Sequence, residues 1–247
     1  MEFTGKTVLI TGSNRGIGKT AIEAFFKQGA NVIACARKQN DEFECFLNSL
    51  KSPEDNWIKP LYFDLAKEEE IKEAFKELIK EKLKLDIVVN NAGVPHTGVL
   101  TMTPITKVKE VFEINFFAAL QIMQLAAKIM MKQKFGNIIN VVSVGGIETN
   151  PGYLAYGSSK AALIWATRSV SKELAPFGIR VNGIAPGLTK TSMGHEKSDE
   201  ELKRVIERSS LKRMAEPGEI VNGMLFLASE KSSFMTGSIL TIDGGRL

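Results

Sequence analysis

The sequence is short of the residues that build metal sites and disulfide frameworks. Its 247 residues hold two cysteines, Cys35 and Cys45, and two histidines, His96 and His195. Two cysteines ten positions apart make no disulfide framework, and a reducing cytoplasm is the expected location. The histidines have no Cys, His or Asp at ligand spacing beside them, so metal chemistry is not expected. No run of 18 apolar residues occurs, so no membrane span is expected. The opening "MEFTGKTVLI" carries an acid and leads into a strand pattern, unlike a signal peptide. A clustered basic face is also missing. The formal charge is +4, but the cations are mixed with glutamates, as in "KEEEIKEAFKELIKEKLKLD". These read as solvated helix faces, and nucleic acid is not an expected partner.

What is present is alternation. Short apolar runs, many rich in β-branched residues, fall at 7–11, 31–36, 57–64, 85–91, 137–143, 179–186 and 238–243. Helical periodicity lies between them, at 16–28, 38–51, 67–83, 107–133, 155–175 and 217–228. Near-continuous apolar strands are what a parallel sheet buried on both faces requires. Strand–helix repeats at this spacing make right-handed βαβ units. The fold class is therefore α/β, a doubly wound domain of about seven parallel strands flanked by helices on both faces. Its ligand crevice is expected at the carboxyl ends of the strands. No linker or repeat interrupts 1–247, which reads as one domain. The polar stretch 188–212 has the composition of a mobile helix, and His195 is expected to be exposed on it.

The first strand runs into "TGSNRGIG". Gly12, Gly16 and Gly18 allow a tight turn and close approach of a phosphate, and the helix that opens there offers free N–H groups. Ser13, Asn14, Arg15 and Ile17 belong to the same turn. The ribose 2′-hydroxyl of NAD is usually held by an acid at the end of the second strand. Here that place reads Ala36-Arg37-Lys38, and no acid follows before Asp41. Arg37 and Arg15 could instead hold a 2′-phosphate, so NADP(H) is favoured over NAD(H). Asp64, with Leu65 beside it, either accepts from an adenine amino group or caps a helix. "NNAG" ends the fourth strand. Small residues there let the chain pass the cofactor ribose, while Asn90 and Asn91 are expected to bridge neighbouring strands.

Asn115 sits in an otherwise apolar helix interior, where an amide is a poor choice and must be hydrogen-bonded. Ser143 ends the fifth strand, and Gly145 and Gly146 are expected to loosen the chain after it. In "PGYLAYGSSK", Tyr156 and Lys160 are four apart and share a helix face. That suits proton transfer at a carbonyl or alcohol oxygen. A tyrosine titrates at about 10, and an ammonium nearby favours its phenolate. Ser143 would then bond the substrate oxygen. Tyr153 falls in the loop before the helix and is expected to line the substrate opening. Cys35 reads as a small core residue and His96 as a surface residue near the mouth.

The series "TGSNRGIG", "NNAG", Asn115, Ser143, "YGSSK" and "PGLTKT" resembles the short-chain dehydrogenase/reductase family, from about residue 5 to "TIDGG" at 241–245. The resemblance implies a Rossmann-like domain, a homotetramer and an Asn–Ser–Tyr–Lys tetrad. By position, Asn115 would order a relay water, Ser143 would orient the carbonyl, and Tyr156 would be the acid/base. Lys160 would bind the nicotinamide ribose. Asn91, Ala92, Gly93, Pro186, Gly187 and Thr189 would lie along the cofactor, and Thr191 near its phosphates. The segment 188–212 would be the substrate lid. Within the family the chain is most similar to 3-oxoacyl-[acyl-carrier-protein] reductases of fatty acid synthesis. That implies an acyl thioester substrate and acyl carrier protein as a partner. Two places depart from them. "VPHTGVL" follows "NNAG" without a charged pair, and Phe177 stands at a basic carrier-docking position, although Lys128 could supply another. A sugar, steroid or small ketone is the alternative substrate. A cofactor-binding sensor or scaffold is the alternative without turnover.

Overall fold

The computed structural model describes residues 1–52, 55–192 and 199–246. Seven strands form one parallel sheet: β1 (Thr7–Thr11), β2 (Asn31–Ala36), β3 (Ile58–Tyr62), β4 (Ile87–Asn90), β5 (Gly136–Val141), β6 (Ile179–Pro186) and β7 (Ile239–Ile242). Their order is β3-β2-β1-β4-β5-β6-β7. The order reverses between β1 and β4, where Val8, Leu9 and Ile10 pair with Ile87, Val88 and Val89. That is the switch point at which open α/β sheets leave a crevice.

The helices are α1 (Gly16–Lys27), α2 (Asp41–Ser49), α3 (Glu68–Lys80), α4 (Ile105–Phe112), α5 (Ala118–Gln133), α6 (Leu154–Leu174), α7 (Asp199–Arg208) and α8 (Pro217–Ala228). One core packs α1, α2 and α8 on the sheet, with Phe25, Ile22 and Met224 fully enclosed. The other packs α3, α5 and α6, with Phe75, Ile71 and Met130 enclosed. Each such side chain contributes roughly 1.5–3 kcal/mol relative to exposure.

One feature departs from the sequence expectation. The helix expected over 107–133 is broken by a π turn, Glu113–Phe117, which joins α4 to α5 and carries Asn115. The whole run 105–133 is long and apolar enough, by length and composition alone, to cross a membrane. Here Val111, Ile122, Ala126 and Met130 on it are buried in the fold. The helix expected within 188–212 is α7, nearly three turns dense in charge. Only Leu202, Val205 and Ile206 are apolar in it, at the i, i+3, i+4 spacing of a narrow stripe. His195 lies outside the described residues.

Candidate active site

The first turn of α1 is uncapped. Arg15 is extended at its N-cap and no side chain bonds its first N–H groups. Asn40, by contrast, accepts from Phe43 N at 2.8 Å to cap α2. Unsatisfied N–H groups at a helix start favour an anion. A Cβ at Gly18 would lie 2.2 Å from the Gly12 carbonyl oxygen and 2.6 Å from Asn91 Nδ2. Only glycine lets α1 enter this close to the ends of β1 and β4. Asn91 locks the same place, donating to Thr11 O at 2.9 Å and Gly12 O at 3.1 Å. Thr11 Oγ1 accepts from the N–H groups of Asn91 and Ala92.

These ends open onto a crevice of about 770 Å³, within the size range of cofactor sites. From the turn, Gly12, Asn14, Arg15, Gly16 and Ile17 line it. Ser13 and Gly18 do not. The Ser13 hydroxyl is buried and donates to Cys35 O at 2.7 Å. Gly18 is spent on the helix–strand approach. The expectation that these two contact a cofactor is therefore corrected to a supporting place. Arg37, Asp64 and Leu65 line the far end. Arg15 and Arg37 are exposed at its rim and form no ion pair among the described residues. Asp64 does not cap α3, whose N-cap is Lys67. Its Oδ1 accepts from Ala66 N at 3.0 Å. Ala92, Gly93, Pro186, Gly187, Thr189 and Thr191 line the middle. The Thr189 hydroxyl is turned back, donating to Gly187 O at 3.1 Å.

At the other end Ser143, Tyr153, Tyr156 and Lys160 converge on the crevice. Gly146 explains how. A Cβ there would stand 2.8 Å from Ala161 N and from the Lys160 carbonyl carbon. Gly146 thus presses the turn after β5 against α6; it does not loosen the chain. Ser143 caps that turn, accepting from Gly145 N at 3.0 Å. Burial pushes the Tyr156 phenol above its ordinary value, a hydrogen bond with Ser143 opposes the rise, and Tyr153 adds to it. The lowering expected from Lys160 is not present in the chain by itself. Lys160 is buried and donates to Val141 O at 2.8 Å. Burial draws it down to about 8. Tyr153 stands at the N-cap of α6, edge-on to Tyr156 with ring centres 6.2 Å apart.

Asn115 does not line the crevice. Its amide is held by protein: Oδ1 accepts from Val94 N at 2.8 Å, and Nδ2 donates to Val94 O at 3.0 Å and Ser159 Oγ at 3.1 Å. Gly93 fits between Asn115 and Lys160. The side chain therefore fixes the turn after β4. Ser159 completes the chain of bonds by donating to Tyr156 O at 2.7 Å. The sequence reading did not identify Ser159, although it lies within the quoted "YGSSK". Arg246 was also missed, because one arginine near a chain end carries no pattern. Cys35 is buried, and burial pushes its thiol up, as suits a core residue. Among the described residues no three His, Cys, Asp or Glu side chains group as for a metal.

A glycine cradle, an uncapped helix start and exposed arginines fit the phosphate-bearing end of a nicotinamide cofactor. A hydroxyl, a phenol and a buried ammonium at the opposite end fit its reactive end.

Comparison with known proteins agrees with this arrangement. Residues 12–246 match the family described as Enoyl-(Acyl carrier protein) reductase. The chain is 35% identical to a 3-oxoacyl-[acyl-carrier-protein] reductase FabG of Thermotoga maritima, across 99% of both chains. Among solved structures it is similar to a putative gluconate dehydrogenase from Agrobacterium tumefaciens, with TM-score 0.94, 29% identity and 99% and 97% of the two chains covered. It is also similar to a 4-hydroxyisoleucine dehydrogenase complexed with NADH, with TM-score 0.90, 32% identity and 98% of each chain covered. Similarity of this kind spans nearly the whole sequence and coincides with the fold, and it shows that the chain belongs to the short-chain dehydrogenase/reductase family.

Proposed function

We propose that the protein reduces the 3-oxo group of an acyl thioester to a secondary alcohol, with NADPH as the reductant. The observation that carries this is the meeting of Ser143, Tyr156 and Lys160 at one end of the crevice, on a chain similar to 3-oxoacyl-[acyl-carrier-protein] reductases. The nicotinamide, when bound, supplies hydride to the carbonyl carbon. Ser143 bonds the carbonyl oxygen. Tyr156 gives that oxygen its phenolic proton as the C=O π bond opens, leaving a phenolate that is reprotonated before the next turnover. Lys160, carried by the same helix face, holds the ribose. Its charge beside the phenolate favours ionisation during the transfer. Asn115 and Ser159 are positioning residues: one fixes the 93–94 turn, the other the backbone of Tyr156.

Arg15 and Arg37, unpaired at the rim, support the preference for a 2′-phosphate. Residues 188–212, which include α7, act as the lid in this reading. Lys128 and the half-exposed Phe177 leave carrier protein as a partner with one exposed cation in place. The homotetramer is supported by exposed Trp165 and Phe117 and by β7 at the open sheet edge.

The test is a steady-state screen with NADPH and with NADH. It runs acetoacetyl thioesters, on carrier protein and on pantetheine, against sugar, steroid and small diketone substrates. Fastest turnover of the thioesters with NADPH is expected. Tight NADPH binding with no turnover across the panel would support a sensor or scaffold instead.

A further inference from the structure

Besides Lys160, which the proposed mechanism uses, and the two rim arginines assigned to a phosphate, one cation on the crevice wall has no task. It is Arg246. Its side chain is only 7% exposed, so it is held in place. Its single hydrogen bond is from Nε to Glu148 Oε2 at 3.1 Å. The two terminal nitrogens have no partner among the described residues. A buried guanidinium keeps its charge and normally spends its planar fork on an anion.

The surroundings say which end of the crevice it serves. Glu148 follows Ser143 on the loop between β5 and α6. The same carboxylate receives Arg208 of α7, which also donates to Asn150 Oδ1 at 2.7 Å. Residues 244 and 245 are bonded to the segment after α7, through Leu211 N to Gly244 O at 3.0 Å and Ser210 Oγ to Gly245 O at 2.9 Å. Arg246 is therefore pinned between the loop that carries Ser143 and the helix that carries Val205, both of which line the crevice. Glu148 does not line it. One carboxylate shared by two guanidiniums leaves a net positive charge, and the terminal nitrogens without a partner belong to a residue that lines the crevice.

We propose that Arg246 is a specificity-determining residue, whose terminal N–H groups bind an oxyanion carried by the substrate beyond its reacting carbonyl. Glu148 positions it through Nε. This rests on the carbonyl-reductase reading and deepens it: neutral acyl ketones are poor substrates, and anionic ones are preferred. The oxyanion is the carboxylate of a free oxo acid or the phosphate of a phosphopantetheine arm.

Two matched pairs separate these sources. One is a 3-oxo dicarboxylic acid mono-thioester against its methyl ester. The other is acetoacetyl phosphopantetheine against acetoacetyl pantetheine. In one pair, the wild type is expected to show a KM at least about tenfold lower for the anionic member. Arg246→Gln should abolish that difference with kcat on the neutral member unchanged, and Arg246→Lys should restore part of it. NADPH affinity unchanged in both variants shows that the fold and cofactor site are intact. Equal KM values within both pairs in the wild type, or a difference that survives Arg246→Gln, overturn the proposal. Should nothing turn over, the carbonyl-reductase reading fails separately. Titrating NADPH-loaded enzyme with glutarate then decides: saturable binding that Arg246→Gln removes upholds the anion site, and no binding overturns it.

Discussion

Replacing Lys160 with methionine should make the protein more stable at neutral pH. The ammonium is buried among protein atoms with one carbonyl as partner. Its value in the folded chain is about 8 against an ordinary 10.5. At about 1.36 kcal/mol per pH unit, holding it charged costs about 3 kcal/mol of stability at pH 7. Methionine has similar length and no charge. It leaves the Val141 carbonyl without its Lys160 donor, at a cost of roughly 1–3 kcal/mol. The balance at pH 7 is a gain of roughly 0–2 kcal/mol. The sign with pH is definite. Between about pH 8 and 10.5 the unfolded chain still holds the proton that the folded chain has released, so wild-type stability rises with pH there. The variant lacks this rise, and its advantage should shrink and reverse by about pH 10. Urea unfolding of both proteins at pH 7, 8, 9 and 10 measures it, provided the m-values match. A variant less stable at pH 7 by more than 1 kcal/mol, or a difference that does not move with pH, would refute the reasoning.

Three further outcomes follow from the geometry. Gly18→Ala should destabilise by about 3 kcal/mol, because the added carbon meets backbone that cannot shift; thermal unfolding of the variant reads it directly. Arg37→Ala should raise the KM for NADPH about tenfold and leave that for NADH alone, and an equal effect on both would contradict the phosphate reading. Tyr153→Phe should leave kcat within about twofold and change KM for the carbonyl substrate, since Tyr153 faces the opening from the N-cap of α6.

The sheet was legible because its central strands β1, β2 and β4 are buried almost throughout and are rich in Val, Ile, Leu and Ala. Residues 7–11, 31–36 and 179–186 coincide with β1, β2 and β6. The crevice ends were legible because glycine turns and a Tyr–Lys pair at helical spacing are local patterns. What escaped depends on distant contacts. The π turn at 113–117 carries Asn115, whose partners Val94 and Ser159 lie 21 and 44 positions away. Ser13 looked like a cofactor contact because it sits among ones that are; its hydroxyl was drawn off by the Cys35 carbonyl, 22 positions on. Gly146 read as a loosening residue until α6 was seen against it. Helix α7 was legible as a helix somewhere in 188–212, but its bounds, Asp199–Arg208, were not, because three apolar residues among charged ones mark no clear start or stop. The Tyr156 value was misjudged for a physical reason: burial, which sequence spacing does not report, outweighs the hydrogen bond from Ser143.

The central claim is that Tyr156 delivers the proton. Tyr156→Phe, assayed with NADPH and an acetoacetyl thioester, removes one oxygen and keeps the ring. The expected result is a kcat lower by about 10²–10⁴-fold, with NADPH affinity by fluorescence titration unchanged. Turnover at the wild-type rate would contradict the account.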